Sequence, residues 1–350
     1  MISQPTARMT SIAPALSRIG RFYITRELGR GTVGCVYLGH DPVIGRDLAI
    51  KTFNPRLTPA EKSRYEQQFL NEARAAGCLS HPHIATIYDA SVENGATYIA
   101  MEYLQGRELS RMLDNGHRFK PEETASIGWK IADALDHAHR HDVVHRDIKP
   151  ANIFMVKDEL PKLVDFGIAR APKRSGGAEG ETPADHWPHT IFQNNKLFGT
   201  PAYMSPEQAA GKPAGPPTDI YSLGAVMYEM LVGQKPFQSG SVDKLLNEIA
   251  LRAPAPPHEV DPNIPMALSQ IVMKAMSKRP EKRYQTAEAM ALDLKRFLLR
   301  ERRAMRRMKL EMVALERRHP RKLNFARSPL FWGGCLALAA ATMLTFRMLR

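Results

Sequence analysis

His145-Arg146-Asp147-Ile148-Lys149-Pro150-Ala151-Asn152 runs unbroken near the middle of the chain, and thirteen residues past Asn152 come Asp165-Phe166-Gly167. The first string sets a carboxylate, a lysine two residues on and a side-chain amide close together; the second adds another carboxylate. Transfer of a phosphoryl group from a nucleotide asks for a carboxylate that orients the attacking hydroxyl. It also asks for two oxygen ligands that hold a hard divalent ion against the phosphates. Asp147 suits the first task, and Asn152 and Asp165 suit the second.

Upstream, Gly29, Gly31 and Gly34 punctuate Gly29-Arg30-Gly31-Thr32-Val33-Gly34, with Val36 just beyond, on an expected strand-turn-strand. Glycine lets backbone amides approach phosphate oxygens that any Cβ would keep away. Seventeen residues past Gly34, Leu48-Ala49-Ile50-Lys51 puts a lysine near a strand end.

These motifs, in this order and at this spacing, resemble the eukaryotic-type serine/threonine protein kinases that bacteria also carry, over residues 22 to 299. The resemblance implies an α+β bilobal protein-kinase fold, with a small strand-rich N-lobe (22–103) holding one regulatory helix and a larger helical C-lobe (104–299). It implies ATP and magnesium, or manganese in its place, as cofactors, and protein Ser/Thr hydroxyls as acceptors. By the same resemblance Lys51 contacts the α- and β-phosphates and pairs with Glu72, and Asp147 orients the hydroxyl. Lys149 neutralises transferred charge, and Asn152 and Asp165 hold the metal. Val36 and Ala49 would roof the adenine, Phe154 would floor it where leucine is commoner, and Met101 would gate the back. The backbones of Glu102 and Leu104 would meet the adenine edge. Thr200, in Gly199 to Glu207, would sit near Asp147 and Lys149, Glu207 would pair with Arg283, and Asp219 would brace the catalytic loop. Arg146 is expected to be neutralised by autophosphorylation between Ser175 and Thr190, at Thr190 first, then Thr182 and Ser175. A scaffold that binds nucleotide without transfer is the rival reading, weighed against by the intact Lys51, Asp147, Asn152 and Asp165. A small-molecule kinase is disfavoured by the Gly199 to Glu207 stretch.

Residue patterns agree with two lobes. Alternation predicts strands over 23–28, 35–40, 48–53, 83–90 and 96–103, and apolar spacing predicts a helix over 61–79. Helical patterns follow over 122–141, 218–232, 242–251, 267–276 and 286–299, punctuated by proline-rich breaks at 213–217 and 253–265. Residues 170–198 carry little periodicity and read as a long functional loop.

Residues 1–21 read as a loose leader with no secretory signal. The net charge of +13 belongs to the tail: residues 300–350 hold 13 Lys and Arg against 3 Glu, leaving 36 basic against 33 acidic before them. That location argues against a nucleic-acid partner for the globular part. From Pro329 to Phe346 no charge occurs, so a transmembrane segment is expected over 329–349, preceded by a basic juxtamembrane helix over 300–328. A buried or interfacial helix is the alternative. The expected placement is single-pass in the inner (plasma) membrane, kinase domain cytoplasmic, with lipid contact through 300–349 and almost nothing beyond the bilayer. Leu294, Leu298, Met305, Met308, Met312 and Leu315 fit a heptad seam broken by Glu301, which would support a homodimer; an extended last helix with a basic solvated face fits equally. The three cysteines have neither metal-ligand nor disulfide spacing. Cys35, inside the glycine loop, reads as a small apolar filler or a redox-sensing thiol.

Overall fold

The strand-rich third forms one six-stranded sheet in a computed structural model of the chain. Its members are β1 (Arg18–Ile19), β2 (Phe22–Arg30), β3 (Gly34–Asp41), β4 (Arg46–Phe53), β5 (Ile87–Glu93) and β6 (Ala96–Glu102). Their order is β1-β2-β3-β4-β6-β5, with every neighbouring pair antiparallel. The structure describes residues 18–30, 34–53, 66, 69–71, 73–74, 76–93, 96–157, 159–166, 192–193, 196–197 and 201–318. The leader expected over 1–21 thus ends early, because Arg18 and Ile19 pair with Tyr23 and Phe22.

Register decides what the sheet presents. Val36 stands opposite Lys51, and Ala49 opposite Met101. Cross-strand partners and residues two apart share a face, so Val36, Ala49, Lys51 and Met101 point to one side. Leu48, Ile50, Tyr98 and Ala100 point to the other and form a buried cluster with Phe22, whose ring meets Tyr98 edge-on at 5.7 Å. The described residues between 66 and 77 are helical, and Phe69 and Ala73 pack on Ile99, on the same face as Lys51.

The strand expected over 83–90 starts only at Ile87. Ile84 instead makes a single parallel bridge to Leu163, with Ala85 N–H donating to Leu163 O at 2.9 Å and Leu163 N–H to His83 O at 2.8 Å. Backbone groups at 83–85 therefore belong to the second lobe, although their apolar alternation looks like that of the strand that follows.

The second lobe contains α1 (Leu109–Asp114), α2 (Pro121–Arg140), α3 (Pro206–Ala209), α4 (Pro216–Val232), α5 (Val242–Leu251), α6 (Pro257–Val260) and α7 (Met266–Ala275). A small sheet of β7 (Gly106–Glu108), β8 (Ile153–Val156) and β9 (Leu160–Leu163) lies in this lobe, and β10 (Phe192–Gln193) pairs with β11 (Lys196–Leu197). The lobe is built round α4. Proline opens this helix, where a missing N–H costs nothing, and every residue from Thr218 to Val232 is buried. Crossing α2 approaches closely at Gly128, where an added Cβ would stand 2.5 Å from the Met227 sulfur. Gly128→Ala would thus push the buried Met227 side chain out of its present position.

Helix α8 (Ala287–Arg318) begins in this body, with Ala287, Met290, Ala291, Leu294 and Phe297 buried. From Leu298 the chain belongs to a second unit, helical to Arg318, whose Met305, Met308, Leu310, Met312 and Val313 are exposed. Among the described residues no helix is long and apolar enough to cross a membrane. The span expected over 329–349 lies outside them, as does the end of the expected basic helix.

Four imidazoles form a row where the segment before β5 meets α2. Ring centroids are 5.6 Å apart for His81 and His83, 5.3 Å for His81 and His137, and 4.5 Å for His137 and His141. Burial holds the pKa of His83 and of His137 below the ordinary value. His81 and the Lys130 ammonium add to the effect at His83, and His141, His81 and Arg140 add to it at His137; Asp133, within 3.3 Å of His81, opposes it. The unfolded chain takes up these protons near pH 6.5 and the folded chain only lower, so stability is lost as pH falls through 6.5. Melting temperature should fall between pH 7 and pH 5.5, and His137→Gln should flatten that slope in a thermal-shift series. An unchanged slope would exclude the row as its source.

Candidate active site

The cleft between the lobes is lined from above by the Lys51 face of the sheet and from below by the loop joining α2 to β8. That loop is held from beneath. Asp219, buried at the start of α4, accepts hydrogen bonds from the backbone N–H of His145 (2.8 Å) and of Arg146 (2.7 Å), and lies 2.8 Å from His139 Nε2. Burial would raise the Asp219 pKa. The His139 partner, His145 and the Arg146 amide outweigh it, and the carboxyl stays below its ordinary range. Arg146 adopts the left-handed conformation (φ 62°), a turn paid for by these bonds and by Gln208 Nε2 donating to Arg146 O at 2.9 Å.

Asp147, Lys149 and Asn152 come together at the tip. Lys149 Nζ donates to Asp147 Oδ2 at 2.8 Å; Asn152 Nδ2 donates to the same oxygen at 3.0 Å and to Asp147 O at 2.8 Å. With its amide nitrogen so used, Asn152 keeps its side-chain oxygen as an acceptor. Asp147 keeps Oδ1 outside these bonds.

Asp165 follows β9, also left-handed (φ 50°), and its Oδ1 lies 2.8 Å from Lys51 Nζ across the cleft. Loss of water pushes the Asp165 pKa up, but Lys51 pulls it further down, aided by His145 and Lys149, so the carboxylate is charged. The loop beneath is tied to the same segment. His145 Nε2 lies 3.3 Å from Val164 O, and its Nδ1 accepts from Asp147 N–H at 3.3 Å, which fits a neutral ring whose pKa burial has lowered. Its ring packs on Phe166 at 4.8 Å.

Magnesium and a nucleotide triphosphate fit this donor set. Asp165 and the Asn152 oxygen are hard ligands of the right number to leave room for phosphate oxygens. Among the described residues no three His, Cys, Asp or Glu side chains group to hold an ion by themselves. Among the described residues an added Cβ at Gly29 would meet nothing within 4 Å, and its φ is not positive, so the space beside this position is open toward the cleft mouth or solvent rather than filled by packing. Gly34 begins β3, and Gly31 lies outside the described residues.

Val36, Ala49 and Met101 share the Lys51 face, and Phe154 in β8 is half-buried below. Glu102 N–H already donates to Thr86 O at 2.8 Å, leaving its carbonyl, rather than its amide, for an adenine edge. Leu104 stands in the connection between β6 and β7. Glu72, Thr200 and residues 175–190 lie outside the described residues. The expected Glu207–Arg283 pair is present and bidentate, both distances 2.7 Å. The pairing of Lys51 with Asp165 and the roles of His145 and His139 escaped sequence reading, although His145 opens the His145–Asn152 string.

A family model described as the protein kinase domain matches residues 22–294. The serine/threonine-protein kinase PrkC of Bacillus subtilis is 36% identical over 277 residues, covering 79% of this chain and 40% of that protein. The PknB kinase of Mycolicibacterium smegmatis is 35% identical over 278 residues, covering 78% of this chain and 42% of its own length. The chain thus spans about two fifths of the length of these curated relatives. Among solved structures, the PknI kinase domain of Mycobacterium tuberculosis superposes with a TM-score of 0.61 at 23% identity, over 80% of this chain and 97% of that one, which establishes the shared bilobal fold. The strand-rich lobe, the helical lobe and the cleft between them therefore have one common explanation, and the chain belongs to the protein kinase domain family.

Proposed function

We propose that this protein is a serine/threonine protein kinase that transfers the ATP γ-phosphate to protein hydroxyls. The observation that carries the proposal is the Asp147–Lys149–Asn152 cluster facing Asp165 and Lys51 across the cleft. Asp147 Oδ1 would receive the acceptor hydroxyl, while Lys149 holds Oδ2 in place and would offset charge on the group in transfer. Lys51 would steady the α- and β-phosphates, and Asn152 and Asp165 would hold the metal. Bound magnesium would supply charge neutralisation and orientation of the phosphates. The test is radiolabel transfer from ATP to a generic basic protein by wild type and by Asp147→Asn. Transfer by wild type alone supports the reading; a wild type that binds ATP without transferring label makes the chain a nucleotide-binding scaffold.

The proposal extends to a tether, with the kinase on the cytoplasmic side of the inner membrane. It rests on the uncharged run from Pro329 to Phe346 and on the 11 Lys and Arg against 3 Glu over 300–328. The full-length chain should stay with membranes through carbonate and high salt. Release by moderate salt alone would reduce the tail to an electrostatic contact.

A further inference from the structure

We infer that Lys162 is a positioning residue for nucleotide binding, acting through the side chain of Glu102; the inference rests on the ATP reading above. Lys162 Nζ lies 2.7 Å from both carboxylate oxygens of Glu102, and the pair is largely withdrawn from water, with side-chain exposures of 12% for Lys162 and 26% for Glu102. Glu102 is the last residue of β6, where the chain passes between the lobes.

The pair belongs to a larger clasp. Glu102 Oε2 also accepts from Thr86 N–H at 3.2 Å, and Glu102 N–H donates to Thr86 O at 2.8 Å. Residues 83–85 are in turn bonded to Leu163, the neighbour of Lys162. Glu102 is thus fastened by its amide to Thr86 and by its carboxylate to Thr86 and to β9. The amide hydrogen bond fixes the 101–102 peptide and the carboxylate bonds hold the side chain, so the Glu102 Cα is pinned from both sides and the next peptide, which carries the Glu102 carbonyl, starts from a fixed point. Lys162 also stands three residues before Asp165 on the same backbone. One lysine therefore ties the peptide that would accept the adenine 6-amino group to the strand that presents the metal-holding carboxylate, and so sets the distance between the base end and the phosphate end of the site. Removing the ammonium leaves a mostly buried carboxylate with a lone backbone donor; as it turns toward water, the Glu102 Cα loses its side-chain anchor and the following carbonyl is held less firmly against the adenine edge.

The test is steady-state phosphotransfer by the full chain, with ATP and with purine riboside triphosphate, which lacks the 6-amino group. In Lys162→Met the KM for ATP should rise about tenfold with kcat within about twofold, while the KM for purine riboside triphosphate moves less than about twofold. Lys162→Arg, which restores a charged donor, should bring the KM for ATP back to within about threefold of wild type. If Lys162→Met fails to fold, Lys162→Gln is read by the same criteria. A wild-type KM for ATP in the knockout, or equal losses with both nucleotides, overturns the inference and leaves the kinase reading standing. Absence of transfer by wild type overturns the kinase reading instead.

Discussion

Asp165→Asn and Lys51→Met should each lower phosphotransfer by at least about a thousandfold while leaving the protein folded. The two side chains face each other at 2.8 Å across the cleft, and neither is part of a packed core. Asparagine keeps the shape of Asp165 and removes the charge that would hold the metal. Methionine keeps the length of Lys51 and removes the charge aimed at the phosphates. The loss should appear in kcat more than in folding, so melting temperature is the control: a shift within a few degrees is expected. Activity above a few per cent in both variants would contradict the assignment of this cleft.

The second large effect is on stability, at Arg283. Its side chain has no exposure, and all five of its N–H donors are used. Nη1 donates to Glu207 Oε1 (2.7 Å) and Pro217 O (2.9 Å), Nη2 to Glu207 Oε2 (2.7 Å) and Lys278 O (3.0 Å), and Nε to Ser277 O (2.8 Å). One side chain thus joins α3, the first turn of α4 and the loop after α7. Arg283→Met would strand the Glu207 carboxylate and three carbonyls, costing about 3–5 kcal/mol and roughly 10 °C in melting temperature. Glu207→Leu added to Arg283→Met should recover part of the loss by removing the unpaired charge. A loss below about 1 kcal/mol in the single variant would mean that water reaches the site and replaces the bonds.

What could be read in advance depended on distance along the chain. Asp147, Lys149 and Asn152 lie within six positions, so a string of letters already defines their cluster. Asp219 and the Glu207–Arg283 pair are far from what they touch, and became legible only because the motifs resemble a known family. Glu102 and Lys162 are sixty positions apart with no motif to join them, and their contact is a product of the fold. The misread start of β5 has the same origin: His83, Ile84 and Ala85 look like a strand locally, and only the presence of Leu163 beside them diverts their hydrogen bonds.

The strand parity of β3 has a consequence for chemical probes. Cys35 stands opposite Thr52, one residue out of step with the Val36–Lys51 pair, so its thiol leaves the sheet on the side away from the nucleotide cleft. An electrophile carried on an adenosine scaffold would meet the Val36 methyl groups before any sulfur. Irreversible inhibitors built on a glycine-loop cysteine would have to approach from the outer surface, past Arg30 and Tyr37. Selective ligands for the cleft itself would instead exploit Phe154, half-buried in β8 on the C-lobe side of the cleft.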